Sequence, residues 1–80
     1  MSEAVVLINT EIGAEEEVLD QLLQIKGVRE AYIVYGVYDI IAFVSAGSPD
    51  ELREIIVKYV RRIPRIKSTT TMTIVEGVKK

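Results

Sequence analysis

The strongest constraint on the fold is the order in which two kinds of segment alternate along 80 residues. Four short runs rich in β-branched residues predict strands, and two runs with apolar residues spaced by three and four predict helices. A chain of this length closes one hydrophobic core, so residues 1–80 are expected to form a single domain. The predicted strands are 4–10, 28–35, 38–45 and 66–75, and the predicted helices are 14–26 and 49–63.

The start of the second helix is the clearest local signal. Ser48 is predicted to be its N-cap, Pro49 occupies the first helical position, and Glu51 follows the serine by three residues, as in a capping box. Gly27 is predicted to end the first helix, and Pro64 to end the second.

The order strand, helix, strand, strand, helix, strand predicts a ferredoxin-like α+β fold. In this βαββαβ arrangement, two helices cover one face of a four-stranded antiparallel sheet. The uncovered face should be polar in a monomer, but the predicted central strands are apolar on both faces. We therefore predict a homodimer that packs through the open sheet face, with noisy alternation in a monomer as the alternative. The predicted dimer-interface residues are Val6, Ile8, Ile41 and Phe43.

Composition removes most catalytic chemistry. The chain has no His and no Cys, so it lacks an imidazole base, a thiolate and a disulfide, and we expect neither a metal nor a cofactor. Without a signal peptide or a membrane-spanning run, a cytoplasmic protein without membrane contact is predicted. The net charge of −2 argues against direct binding of nucleic acid. A basic cluster is interpreted as solvated surface at a helix end, with an anion patch as the alternative: Arg61, Arg62, Arg65 and Lys67.

The middle hairpin and the last strand together resemble a known family. The segment Gly27–Ile41 opens a strand with Gly-Val and contains the motif G-x-Y-D at Gly36–Asp39. The segment Arg62–Val75 combines a helix end, a proline and a T-x-T strand. Over nearly the whole chain this pattern resembles the ligand-sensing (RAM) domain of the Lrp/AsnC transcription regulators. Two positions depart from it: Val37 stands where an acidic residue is common, and Arg65 where glycine is usual.

The resemblance implies a binding and regulatory module, not an enzyme. It implies dimers that assemble into rings, with small ligands, typically amino acids, bound between dimers. It also implies co-assembly with full-length Lrp/AsnC regulators. Such regulators usually carry an N-terminal helix-turn-helix, whereas this sequence begins in a strand. The chain is therefore expected to be a stand-alone form of the sensing domain.

The candidate ligand-binding residues come from the hairpin and the last strand: Tyr35, Gly36, Tyr38, Asp39, Thr69, Thr70 and Thr71. A glycine lets the backbone approach a ligand, a carboxylate accepts from an ammonium group, and tyrosine and threonine offer hydroxyls. Each also has a structural interpretation, as a hairpin glycine, a turn-capping carboxylate, a packed aromatic ring or a strand-forming threonine.

Three other classes share the predicted fold. An ACT-type amino-acid-binding module favours a glycine-rich first loop, and only Gly13 is present there. A small hydrolase or a dimeric α+β-barrel enzyme needs a catalytic pair, and no such spacing stands out. An RNA binder of the RRM type needs aromatic residues on the first and third strands, whereas Tyr38 and Phe43 lie on the third alone.

Overall fold

The computed structural model describes all 80 residues as a four-stranded antiparallel sheet with two helices. The strand order is β2-β3-β1-β4, and the element order confirms the predicted ferredoxin-like fold. Neither helix has the length and apolarity needed to span a membrane. The elements are β1 (Ser2–Thr10), α1 (Glu15–Leu23), β2 (Val28–Ile33), β3 (Ile40–Ala46), α2 (Pro49–Ile55), a π-helical segment (Ile56–Val60) and β4 (Ile66–Thr73).

The register of the two central strands decides which side chains face the helices. Val6 pairs with Ala42 and Ile8 with Ile40, and all four are fully buried in a core of thirteen apolar residues. The prediction that Val6 and Ile8 form the dimer interface is therefore wrong. Strand residues alternate between faces, and the even-numbered residues of β1 and β3 pack beneath the helices.

The first helix is shorter than predicted and ends at Leu23. The backbone then tightens, with the amide of Gln24 donating to the carbonyl of Gln21 at 3.2 Å. Gly27 lies beyond the helix end, in the turn into β2, with φ +105°. A Cβ on Gly27 would stand 2.7 Å from Cδ1 of Ile55 and 3.1 Å from the carbonyl oxygen of Ser45, so only glycine lets α2 approach this turn.

The second helix begins as predicted and then changes type. The Ser48 hydroxyl accepts from the Glu51 amide at 3.1 Å, while the Glu51 carboxylate accepts from the Gly47 amide at 2.8 Å, one residue earlier than in a standard capping box. The amide of Arg61 donates to the carbonyl of Ile56 at 2.9 Å, a span of five residues. This widened turn replaces the continuous α-helix that the sequence predicts.

Of two turns that the sequence singled out, one is longer than predicted and the other holds arginine in a conformation that favours glycine. The β2–β3 connection spans residues 34–39, and the Val34 amide closes it by donating to the Asp39 carbonyl at 2.9 Å. The turn before β4 holds Arg65 at φ +72°, a conformation that favours glycine. The Glu11 amide donates to the Arg65 carbonyl at 2.9 Å. The geometry of this turn is therefore kept although arginine replaces glycine.

Candidate functional site

The predicted site residues lie in three separate places: beside the hairpin, on the uncovered side of the sheet, and on the helix side of β4. The first is a shallow depression of about 480 Å³ below the hairpin, lined by Tyr35 and Asp39 together with the acidic start of α1. Gly36 lies beside it at the exposed tip of the hairpin with φ +148°, and no atom lies within 4 Å of an added Cβ. This conformation agrees with the hairpin interpretation of the glycine.

Asp39 ties the hairpin to the end of β1. Its Oδ2 accepts from the Thr10 amide at 2.9 Å, and its own amide donates to the Ile8 carbonyl at 2.9 Å. The carboxylate therefore caps the neighbouring strand, not its own turn. Oδ1 makes no hydrogen bond within the protein and can accept from a ligand.

The threonine run is divided between the two faces of the sheet. Thr70 pairs with Leu7 on the uncovered side, where its hydroxyl lies 3.4 Å from that of Tyr38. Thr69 and Thr71 pair with Ile8 and Val6 and so lie on the helix side. This is a consequence of strand alternation, and it means that the three hydroxyls do not converge on one ligand.

A groove of about 620 Å³ between α2 and β4 is a feature that the sequence did not predict. It is lined by Thr69, Thr71 and Thr73 on one side and by Arg53 and Arg61 on the other. Neither arginine makes a salt bridge or a side-chain hydrogen bond. The threonines spaced by two residues were the available sequence signal, but Arg61 reaches the groove only because of the π-helical segment.

The other residues of the basic cluster differ in whether they form ion pairs. Arg65 donates to Glu11 at 3.4 Å and to Glu17 at 3.2 Å. The hydrogen bond to Glu11 and the negative charge of Glu17 raise the pKa of Arg65. Arg62 and Lys67 are exposed and unpaired, as expected for solvated surface.

The sheet face opposite the helices, called the open face below, carries large apolar side chains from all four strands. The Tyr32 and Phe43 rings pack edge to face with centroids 6.5 Å apart. The hydrogen bond from the Tyr32 hydroxyl to the Glu30 carboxylate raises the pKa of Tyr32. The large side chains of the open face are Val5, Leu7, Tyr32, Ile41, Phe43 and Met72.

These features define a ferredoxin-like α+β domain, and comparison with known families identifies which one. Residues 3–80 match the family model of the Lrp/AsnC ligand binding domain. The chain belongs to this family, which confirms the resemblance drawn from the hairpin and β4 motifs. The family is one of transcription regulators.

Individual relatives agree with this assignment. The uncharacterized HTH-type transcriptional regulator PF0250 of Pyrococcus furiosus is 36% identical over 58 residues, which cover 72% of this chain and 39% of that protein. The chain thus spans less than half the length of the curated relatives it matches. The crystal structure of FFRP-DM1 is 39% identical with a TM-score of 0.89, covering 94% of this chain and all of that one. The hypothetical protein PHS023 of Pyrococcus horikoshii is 38% identical with a TM-score of 0.88, covering 96% and 93%.

Proposed function

We propose that this domain senses an amino acid or a similar small molecule, and that binding is coupled to the assembly of its copies. The observation that carries the proposal is the separation of the candidate residues. The hairpin depression lies at the β2–β3 side of the sheet and the groove lies at the β4 edge, so one chain does not bring them together. In a ring of dimers, the hairpin of one copy would meet the groove of another.

The two places have complementary chemistry for an amino acid. The hairpin offers the free Oδ1 of Asp39 beside Glu15 and Glu16, a negative environment suited to an ammonium group. The groove offers the unpaired guanidinium groups of Arg53 and Arg61, which suit a carboxylate. A ligand held between copies would favour the assembled state by mass action.

Sensing is tested by thermal unfolding and sedimentation with a panel of the twenty amino acids. We expect at least one to raise the Tm or to change the assembly state. Asp39→Asn keeps an oxygen for the Thr10 amide but loses the charge, so it should keep the Tm of the free protein and weaken binding about tenfold. Asp39→Ala should lower the Tm as well. No response to any amino acid would count against sensing.

Dimerisation through the open face is the second part of the proposal. Fully burying one exposed large apolar side chain contributes about 1.5–3 kcal/mol. Six large side chains cover this face, each with part of its surface still exposed in the single chain, so each would contribute a fraction of that amount. A second copy packed face to face would bury them in a sheet sandwich. Tyr32 and Met72 are 51% and 48% exposed in the single chain, so they have area left to bury.

A matched pair of leucines tests this interface. Leu7 lies at the centre of the open face, whereas Leu23 lies on α1 and is 57% exposed. Leu7→Lys should shift the protein from dimer to monomer in sedimentation at micromolar concentration, and Leu23→Lys should not. A wild-type protein that sediments as a 9.0 kDa monomer would refute the dimer.

Co-assembly with longer members of the family follows from the same surface. A regulator that carries this domain beside an HTH segment would present an equivalent open face to this chain. Native mass spectrometry of a mixture with such a regulator should show mixed species for the wild type and none for Leu7→Lys. Mixed species formed equally by both would argue for a different contact.

A further inference from the structure

The charge of the groove between α2 and β4 is unusual for this chain. The chain carries 12 acidic and 10 basic residues, yet no Asp or Glu lines the groove. Elsewhere Lys58 pairs with Glu54 at 2.8 Å, and Arg65 pairs with two glutamates. Arg53 and Arg61, like Arg62 and Lys67, form no salt bridge, and they are the two basic residues that line the groove. Their charge is available to an anion that enters the groove.

The π-helical segment explains why both arginines face the same way. Each residue of an α-helix turns by about 100°, so residues eight apart would lie about 80° apart around the axis. The wide turn between Ile56 and Arg61 takes in one additional residue. Arg61 then lies at nearly the angle of a residue seven positions after Arg53, within about 20° of it. The unexpected turn is what brings the second cation to the groove.

The opposite wall supplies polar groups at regular intervals. Thr69, Thr71 and Thr73 follow one another along the helix side of β4, at a repeat of roughly 7 Å. Their hydroxyls make no hydrogen bond within the protein. Leu52 and Ile56, both buried in the core, form the apolar floor between the walls. An elongated ligand with polar groups along its length fits this lining.

We infer that this groove selects a ligand with two carboxylate groups, either an acidic amino acid or a dicarboxylate without an ammonium group. The inference rests on the proposed sensing function and names the class of ligand that the site takes. The wide turn leaves Arg53 and Arg61 about 10–11 Å apart along the helix axis, so each can bind one end of the ligand. Flexible side-chain stems let the two guanidinium groups converge on carboxylates that are closer together.

Isothermal titration calorimetry with four probes tests the inference. L-Glutamate and L-glutamine differ only in the charge of one end, 2-oxoglutarate has both carboxylates without the ammonium group, and L-lysine reverses the side-chain charge. We expect glutamate or 2-oxoglutarate to bind at least tenfold more tightly than glutamine and lysine. This preference should shrink as salt is raised from about 0.05 to 0.5 M, because the groove is open to solvent.

Neutral variants of three arginines along the second helical stretch provide the matched control. Arg53→Gln and Arg61→Gln should each weaken binding of the preferred dicarboxylate about tenfold. Arg62→Gln removes the same charge outside the groove and should leave the affinity unchanged. Circular dichroism of all three variants should match the wild type, since the three side chains are exposed.

The outcomes separate the two proposals. Tight binding of glutamine or lysine that is insensitive to Arg53→Gln and Arg61→Gln overturns the dicarboxylate inference and leaves amino-acid sensing intact. Binding of 2-oxoglutarate alone supports the groove and overturns amino-acid sensing. Equal losses in Arg61→Gln and Arg62→Gln overturn the specific role of the groove. No binding of any probe or any amino acid overturns both proposals.

Discussion

Gly27 provides a quantitative test of the packing between α2 and the turn into β2. Its φ of +105° costs a residue with a Cβ about 1–2 kcal/mol. The added Cβ would also press on Cδ1 of Ile55 and the carbonyl of Ser45, and such overpacking costs about 1–3 kcal/mol. Alanine restricts the unfolded chain, which offsets about 0.4–1 kcal/mol. We expect Gly27→Ala to lower the free energy of unfolding by about 2–4 kcal/mol, or the Tm by roughly 10–30 °C.

Two further variants separate the causes of this loss. Gly13 also has positive φ, +84°, but no atom lies within 4 Å of its added Cβ. Gly13→Ala should therefore cost about 1 kcal/mol or less. Ile55→Val removes the Cδ1 atom, so Gly27→Ala should cost about 1 kcal/mol less in that background than in the wild type.

The assay is urea unfolding followed by circular dichroism at one protein concentration, because the stability of a self-associating chain depends on concentration. Equal losses for Gly27→Ala and Gly13→Ala would refute the close approach of α2. The same loss with and without Ile55→Val would refute the assignment of the clash to Cδ1.

Three other predictions concern helix ends and surface charges. Arg65→Gly should unfold at a higher temperature than Arg65→Ala, because both lose the exposed ion pairs but only alanine must hold φ +72°; the opposite order would contradict this. Ser48→Ala removes the acceptor for the Glu51 amide and should cost about 1 kcal/mol in urea unfolding, while no change would show that the cap is dispensable. The hydrogen bond from Lys58 lowers the pKa of Glu54. The Glu54–Lys58 pair therefore stabilises the fold above the pKa of an unfolded glutamate, and this stabilisation disappears as the pH falls through the pKa of Glu54 in the folded protein. Glu54→Gln should therefore lower the Tm slightly at pH 7 and not at about pH 2, and a larger effect in acid would count against the pair.

The order and type of the elements could be predicted because they depend on local chemistry. β-branched runs, the three- and four-residue spacing and the Ser48 cap are all short-range signals. Which face of β1 packs against the helices could not be predicted in the same way. Its two faces are both apolar, so alternation defines two sets of residues without deciding which set the helices cover. The small Ala4 and Ala42 face the helices, which is the one local hint that the even-numbered set packs inside.

The candidate site depended more on long-range contacts. Asp39 bonds to the amide of Thr10, 29 residues away, and no motif within the hairpin signals that partner. The position of Arg61 in the groove depends on the π-helical segment, which has no local sequence signature that distinguishes it from an α-helix. The Gly36 turn, by contrast, follows from a residue type with a known backbone preference.

The π-helical segment also shows how a domain of this kind can change its specificity. Leu52 before this segment, Ile56 and Val60 at its two ends, and Ile63 after it all remain buried. Gain or loss of one residue in this turn would rotate the flanking side chains by about 100° relative to each other while the sheet stays as it is. A single-codon insertion or deletion is thus enough to exchange the row of side chains presented to β4.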